Sequence, residues 1–143
     1  MGRLIRRTLK NVREGRMQRL LAATTAFSAP PLAFEIYLEH YKGSFGDKWM
    51  WTPLALAAPL TAAGVAGFVS PRAARTALPV FGALFALDGL VGVYTHFRGV
   101  QKRPAGFAEA HYNLVMGPPL LAPGSLAMVG GMGVLAALMK REK

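Results

Sequence analysis

The chain has 143 residues, of which 52% are hydrophobic and 17% are charged, and it contains no cysteine. This length allows one domain, and the lack of cysteine excludes a disulfide scaffold, a cysteine-ligated zinc site and an iron–sulfur cluster. The net charge of +10 would suit nucleic acid, but the basic residues fall in short clusters between long uncharged stretches. We therefore expect a membrane protein without a nucleic-acid partner.

The first 19 residues predict a basic amphipathic helix. Its arginines and lysines surround apolar side chains that recur at roughly helical spacing: Leu4, Ile5, Leu9, Val12 and Met17. We expect this helix to lie along the anionic inner surface of the membrane; the alternative is a solvated tail that only sets topology. The basic region is too long for a secretory signal.

Residues 20–143 predict an all-α domain, an integral membrane four-helix bundle. A helix needs about 20 mostly apolar residues to cross the core of a bilayer. Four stretches reach this length, and none has the polar stripe that a helix of a soluble bundle would need. The predicted spans are residues 20–38, 51–69, 78–97 and 119–139.

The distribution of basic residues predicts the orientation of these spans. Four spans place both termini on one side, which then holds twelve of the 17 Lys and Arg residues, against five in the two loops of the other side. The more basic side is usually cytoplasmic. We therefore expect a multi-pass protein of the cytoplasmic (inner) membrane with both termini in the cytoplasm.

Small residues four positions apart predict close contacts between helices. This spacing occurs in three of the spans, and it favours packing inside the bundle over association with another subunit, although it is common in membrane helices. The pairs are Ala63 and Gly67, Gly82 and Ala86, and Ala127 and Gly131.

Side chains able to do chemistry are gathered at the predicted outer end. All histidines, tyrosines and tryptophans lie in that half, whereas an aromatic belt normally marks both interfaces. Asp88 is predicted near the bilayer centre, where a carboxyl needs a partner, and Glu35 in the outer third of its span. The candidate binding residues are Glu35, His40, Asp88, Tyr94, His96, Arg98 and His111.

The histidines suggest a redox group. Haem b in a membrane bundle is held by histidines from facing helices, so His40 and His96 predict one haem site, and His111 could replace either. A quinone pocket with Tyr94, His96, Glu35 and Arg98 at its wall is also compatible with the sequence. A metal site is less well supported, because no two histidines have i, i+3 or i, i+4 spacing.

The short loops leave no room for a separate catalytic domain, and the chain has no nucleophile elbow or phosphate-binding loop. We therefore expect a non-catalytic subunit that anchors a respiratory or other electron-transfer complex. Its partners would be the lipid bilayer and other membrane or periplasmic subunits. The alternatives are a homo-oligomeric carrier or channel that binds a proton or cation at Asp88 and Glu35, and an assembly or lipid-contacting protein without a site.

Overall fold

The structure is a computed structural model that describes residues 2–141, and this part of the chain is helical without strands. The expectation of an all-α protein is confirmed. Short 3₁₀ turns at Lys48–Trp51 and Gly106–Glu109 accompany the α-helices. The α-helices are α1 (Gly2–Arg13), α2 (Arg16–Lys42), α3 (Thr52–Val69), α4 (Pro71–Arg75), α5 (Ala77–Gln101), α6 (Ala110–Val115) and α7 (Leu121–Leu138).

The four long helices α2, α3, α5 and α7 pack side by side as a ring. α2 lies against α3 and α7, and α5 lies against the same two helices, whereas the diagonal pairs touch little. α1 packs on α2. The end of the ring that holds α1 and residue 141 is the inner end. The opposite end, which holds residues 43–51 and 102–120, is the outer end.

Among residues 2–141, three helical stretches are long and apolar enough to cross a membrane: Lys48–Val69, Ala77–Gln101 and Leu121–Leu138. Many of their large apolar side chains face outward. In α7, Leu121 is 85% exposed and Leu138 is 78% exposed. Soluble monomers rarely expose contiguous apolar surface of this extent. The helices are therefore compatible with a multi-pass membrane protein in contact with lipid.

The first predicted span, residues 20–38, is not among these three stretches. It lies within α2, which is long enough but less apolar, because Glu35, two prolines and several hydroxyl side chains interrupt its apolar residues. α2 continues as one helix through Pro30 and Pro31. The structure therefore supports three of the four predicted spans by length and composition.

The N-terminal helix is shorter than the predicted basic segment of 19 residues. α1 ends at Arg13, and α2 already begins at Arg16. The chain turns between them at Gly15, which has a left-handed backbone with φ of 80°. Glycine adopts this conformation without the steric cost that a side chain brings. The last residues of the predicted segment therefore form the first turn of α2.

Glycines bring the backbones of α5 and α7 into direct contact. A Cβ atom on Gly82 would lie 2.7 Å from the carbonyl oxygen of Gly130, and one on Gly89 would lie 2.5 Å from the amide nitrogen of Ala127. These pairs also show that the two helices are antiparallel. Gly131, which the predicted spacing included, faces away and has no neighbour within 4 Å of an added Cβ.

Arg141 closes the inner end. Its guanidinium donates hydrogen bonds to the carbonyl oxygens of Gly67 (2.7 Å), Phe68 (2.7 Å) and Val69 (2.8 Å), the last three residues of α3. It also donates to Oε1 of the buried Gln18 on α2, at 3.0 Å. The last carbonyls of a helix lack partners within the helix and carry partial negative charge, so a cation suits this position. Residue 141 thereby links α3 to α2.

Candidate functional site

His40 is held at the outer end by the loop that follows it. Its Nδ1 donates to the carbonyl oxygen of Met50 at 2.8 Å, which leaves Nε2 with a free lone pair in the neutral ring. Burial lowers the pKa of His40 below its usual 6.5, and nearby His96 lowers it further, although the Met50 bond and the charges of Asp88 and Glu39 act in the opposite direction. The lowered pKa favours the neutral ring, which can act as a base or a ligand.

His96 is oriented in the same way on α5. Its Nδ1 donates to the carbonyl oxygen of Pro119 at 2.7 Å. Pro119 belongs to the irregular segment before α7, which begins only at Leu121. His40 and His96 come from the diagonal helices α2 and α5, yet they lie close enough for their charges to interact. The two imidazoles therefore face the same end of the ring.

An aromatic cluster lies beside His40. Phe45 stacks on Trp51 with 4.0 Å between ring centroids, and its ring also lies 5.6 Å from Tyr37 and 5.9 Å, edge to face, from His40. Phe45 has a positive φ of 45°, a conformation that costs a non-glycine residue free energy. The stacking of Phe45 on Trp51 stabilises the strained backbone at Phe45. The same loop presents the carbonyl oxygen of Met50 to His40. The sequence does not single out Phe45.

Asp88 forms a hydrogen bond with Thr52, the first residue of α3. Its Oδ1 lies 2.5 Å from Oγ1 of Thr52, and the same hydroxyl lies 2.8 Å from the carbonyl oxygen of Trp49. A hydroxyl has one proton to donate. Both contacts are satisfied together when Asp88 carries a proton, so that the carboxyl donates to Thr52 and Thr52 donates to Trp49. Asp88 thus lies level with the first residue of α3, while it stands midway along α5.

His40, Thr52, Asp88 and His96 form the outer polar cluster. The other candidate residues lie outside it. Tyr94 and Arg98 are exposed and pair with each other, with 3.4 Å between the phenol oxygen and Nη1. The remaining two candidates, Glu35 and His111, are also exposed. The carboxylate of Glu35 lies near enough to Lys42 for the two charges to attract each other. His111 has no hydrogen bond or ion pair within the described part of the chain.

The hydrogen bonds of Asp88 lead to a prediction about its protonation. We expect the wild-type protein to show the infrared C=O stretch of a protonated carboxylic acid near neutral pH, and Asp88→Asn to lack it. The amide can still donate to Thr52, so the midpoint of thermal unfolding should change little, within about 0.5 kcal/mol of stability. Asp47→Asn is the control, because Asp47 is exposed and should contribute no such band. A wild-type spectrum with carboxylate bands only would contradict the assignment.

Asn113 is a structural residue that the sequence does not mark. It is 1% exposed, and its Nδ2 donates to the carbonyl oxygens of Pro104 at 2.8 Å and Gly106 at 2.7 Å. Its Oδ1 accepts from Nε of Arg103 at 3.1 Å. Every polar group of this amide is paired, as burial requires. Asn113 therefore fixes the connection between α5 and α6 at the outer end.

The chemistry of the outer polar cluster is that of imidazole and carboxyl groups without a conventional metal site. Within residues 2–141, no three His, Cys, Asp or Glu side chains are grouped to hold a metal ion. The cluster brings two imidazole rings to the same end of the ring as a hydrogen-bonded carboxyl, and such groups can transfer protons or ligate haem iron. No protein-family model, curated protein or solved structure matches the chain.

Proposed function

We propose that the chain is a small multi-pass membrane subunit of an electron-transfer complex, and that its outer polar cluster serves a redox group, either haem b or a quinone. One observation carries this proposal. His40 and His96 come from diagonal helices to the same end of the ring, and each donates Nδ1–H to a backbone carbonyl. This arrangement leaves two oriented Nε2 atoms for a group bound between the helices.

In both histidines the hydrogen bond places the proton on Nδ1 and leaves Nε2 available, and this tautomer suits either redox group. Histidines that ligate a metal usually donate the other ring N–H to a carbonyl or carboxylate, which orients the ring and raises its basicity. His40 and His96 would hold the iron of haem b, which would supply one-electron transfer. With a quinone, one imidazole would accept the proton of the quinol hydroxyl, and Asp88 would lie beside it as a second proton-carrying group.

We further propose that all four long helices cross the membrane and that both termini are cytoplasmic. α2 packs along α3 and α7, which are both long and apolar enough to span. Its 27 residues extend about 40 Å at 1.5 Å per residue, which exceeds the roughly 30 Å core of a bilayer. Among residues 2–141, eleven Lys and Arg residues lie toward the inner end and five toward the outer end, and this excess supports a cytoplasmic location for the inner end.

An accessory role is consistent with how little of the chain lies outside the ring. Between the long helices, the described residues form only short helices and turns. A complex of this kind would supply the catalytic domain on another membrane or periplasmic subunit. The outer end, with its aromatic cluster and the loop that Asn113 orders, is the surface on which such a subunit would dock.

The proposal is tested on protein purified from its native membrane in a mild detergent. We expect a reduced-minus-oxidised haem spectrum or a stoichiometric extracted quinone, together with a co-purifying redox subunit. His40→Gln and His96→Gln should lose the bound group while the ring stays folded, because a glutamine amide can still donate to the carbonyls of Met50 and Pro119. His111→Gln is the matched control and should keep it, since His111 is exposed and makes no such bond.

Two results would contradict the redox proposal. One is folded protein that contains neither haem nor quinone and brings no partner subunit with it. The other is a symmetric homo-oligomer whose ion flux is lost in Asp88→Asn, which would favour the carrier or channel. A reporter fused to the C-terminus that is active only outside the cytoplasm would overturn the proposed orientation.

A further inference from the structure

We propose that α1 is a docking surface for anionic phospholipid at the inner end, independent of the redox site. All five charged residues of α1 are basic. With 3.6 residues per turn, they occupy an arc of roughly 120° on the helix. They are Arg3, Arg6, Arg7, Lys10 and Arg13.

The opposite side of α1 is aliphatic and uncovered. Leu4 is 73% exposed, and Ile5 and Leu9 are each 54% exposed, so these side chains do not pack on the ring. A helix with a basic arc and an uncovered aliphatic arc has the composition of a helix that lies in a membrane interface. The basic side chains then meet lipid phosphates, while the aliphatic ones enter the boundary with the acyl chains.

A turn at Gly15 separates α1 from α2, so the two helices do not continue as one. The left-handed Gly15 ends the axis of α1, and Glu14 forms ion pairs with Lys10 at 3.7 Å and with Arg16 at 3.1 Å. The helix thus leaves the ring at the inner end, where the candidate spans α3 and α7 also end. A membrane that these helices cross would have its surface at this level.

The aliphatic side chains of α1 favour a lipid surface over nucleic acid as the partner that binds this helix. Both are polyanions, and both would attract the five basic side chains. A nucleic-acid backbone has no apolar region to receive Leu4, Ile5 and Leu9, which would stay in water. A bilayer buries them, so the observed surface matches a membrane in both charge and hydrophobicity.

The absence of cysteine from the sequence allows a direct test on the full chain. Leu9→Cys carries an environment-sensitive fluorophore on the aliphatic arc, and Arg3→Cys carries the same fluorophore on the basic arc, about 120° away around the helix, as the control. Each protein is reconstituted into vesicles of phosphatidylcholine, with or without phosphatidylglycerol. We expect the Leu9→Cys label to shift to shorter wavelength and to lose iodide quenching several-fold in the anionic vesicles only, and high salt to reverse both. The Arg3→Cys label should remain accessible to iodide.

A second variant tests whether the positive charge of α1, rather than the overall fold, causes the preference for anionic vesicles. Changing Arg3, Arg6, Arg7 and Lys10 together to glutamine in Leu9→Cys should abolish the difference between the two vesicle types, while haem or quinone content at the outer end stays unchanged. Equal shifts in neutral and anionic vesicles, or no shift in either, would overturn the proposal. So would retardation of a DNA duplex that the glutamine changes abolish, because α1 would then serve nucleic acid.

Discussion

Gly130→Ala is expected to destabilise the ring strongly, whereas Gly131→Ala, one position further, is expected to leave its stability unchanged or slightly raised. A Cβ on Gly130 would meet the carbonyl oxygen of Gly82, and it would lie 2.5 Å from the amide nitrogen and 2.9 Å from the Cα of Ala86. These are backbone atoms of α5, so the contact is relieved only if the two helices separate. We expect a loss of about 3 kcal/mol, the upper range for overpacking a close interface.

Gly131→Ala is a matched control because it makes the same chemical change on the same helix. Nothing lies within 4 Å of a Cβ at Gly131. The methyl group should therefore add helix propensity, up to about 1 kcal/mol, without a clash. The midpoints of thermal unfolding of the two variants are compared in detergent, with size-exclusion chromatography as the measure of the folded fraction after heating. Equal midpoints for the two variants would show that α5 and α7 do not meet at Gly130.

Arg141→Ala is expected to cost roughly 2–3 kcal/mol, because it removes charge-assisted hydrogen bonds to three carbonyl oxygens of α3 and to Gln18. Those carbonyls have no helical partner, and the negative end of the α3 dipole would lose its cation. Arg141→Lys should fall between alanine and wild type, since an ammonium group lacks the planar fork of donors that reaches several oxygens at once.

Lys140→Ala is the control for Arg141→Ala. Lys140 is the neighbouring residue and is also basic, but it is exposed, so its removal should change stability by no more than about 0.5 kcal/mol. The variants are compared by thermal unfolding and by hydrogen exchange of the amides near the inner end. If alanine has the same effect at both positions, the contacts of Arg141 with α3 do not stabilise the fold.

Much of the helical architecture follows from the order of apolar and polar residues. The predicted spans 51–69, 78–97 and 119–139 coincide closely with α3, α5 and α7, because each apolar run is bounded by charged, proline or glycine residues. α5 continues to Gln101, past the apolar run, since hydropathy marks the lipid-compatible part of a helix and not its end. The turn at Gly15 had a signal in the sequence, a glycine where a helix ends.

The contacts of the site depend on how far each helix is shifted along its neighbours, and local sequence does not determine that shift. Asp88 meets Thr52, and His96 meets Pro119, across helices that are distant in the sequence. The spacing of small residues likewise fails to separate Gly130, which faces α5, from Gly131, which faces away. Local sequence identifies which residues can do the chemistry, whereas their partners come from the tertiary fold.

The three hydrogen bonds of Asn113 have a consequence for the docking that we propose at the outer end. A loop that must fold on contact with a partner slows association and loses conformational entropy when it binds. Here the segment around Pro104 and Gly106 is already ordered by one buried amide. A subunit that docks on this end would meet a ready-made shape, so its rate of capture would be set by diffusion and orientation rather than by rearrangement of the loop.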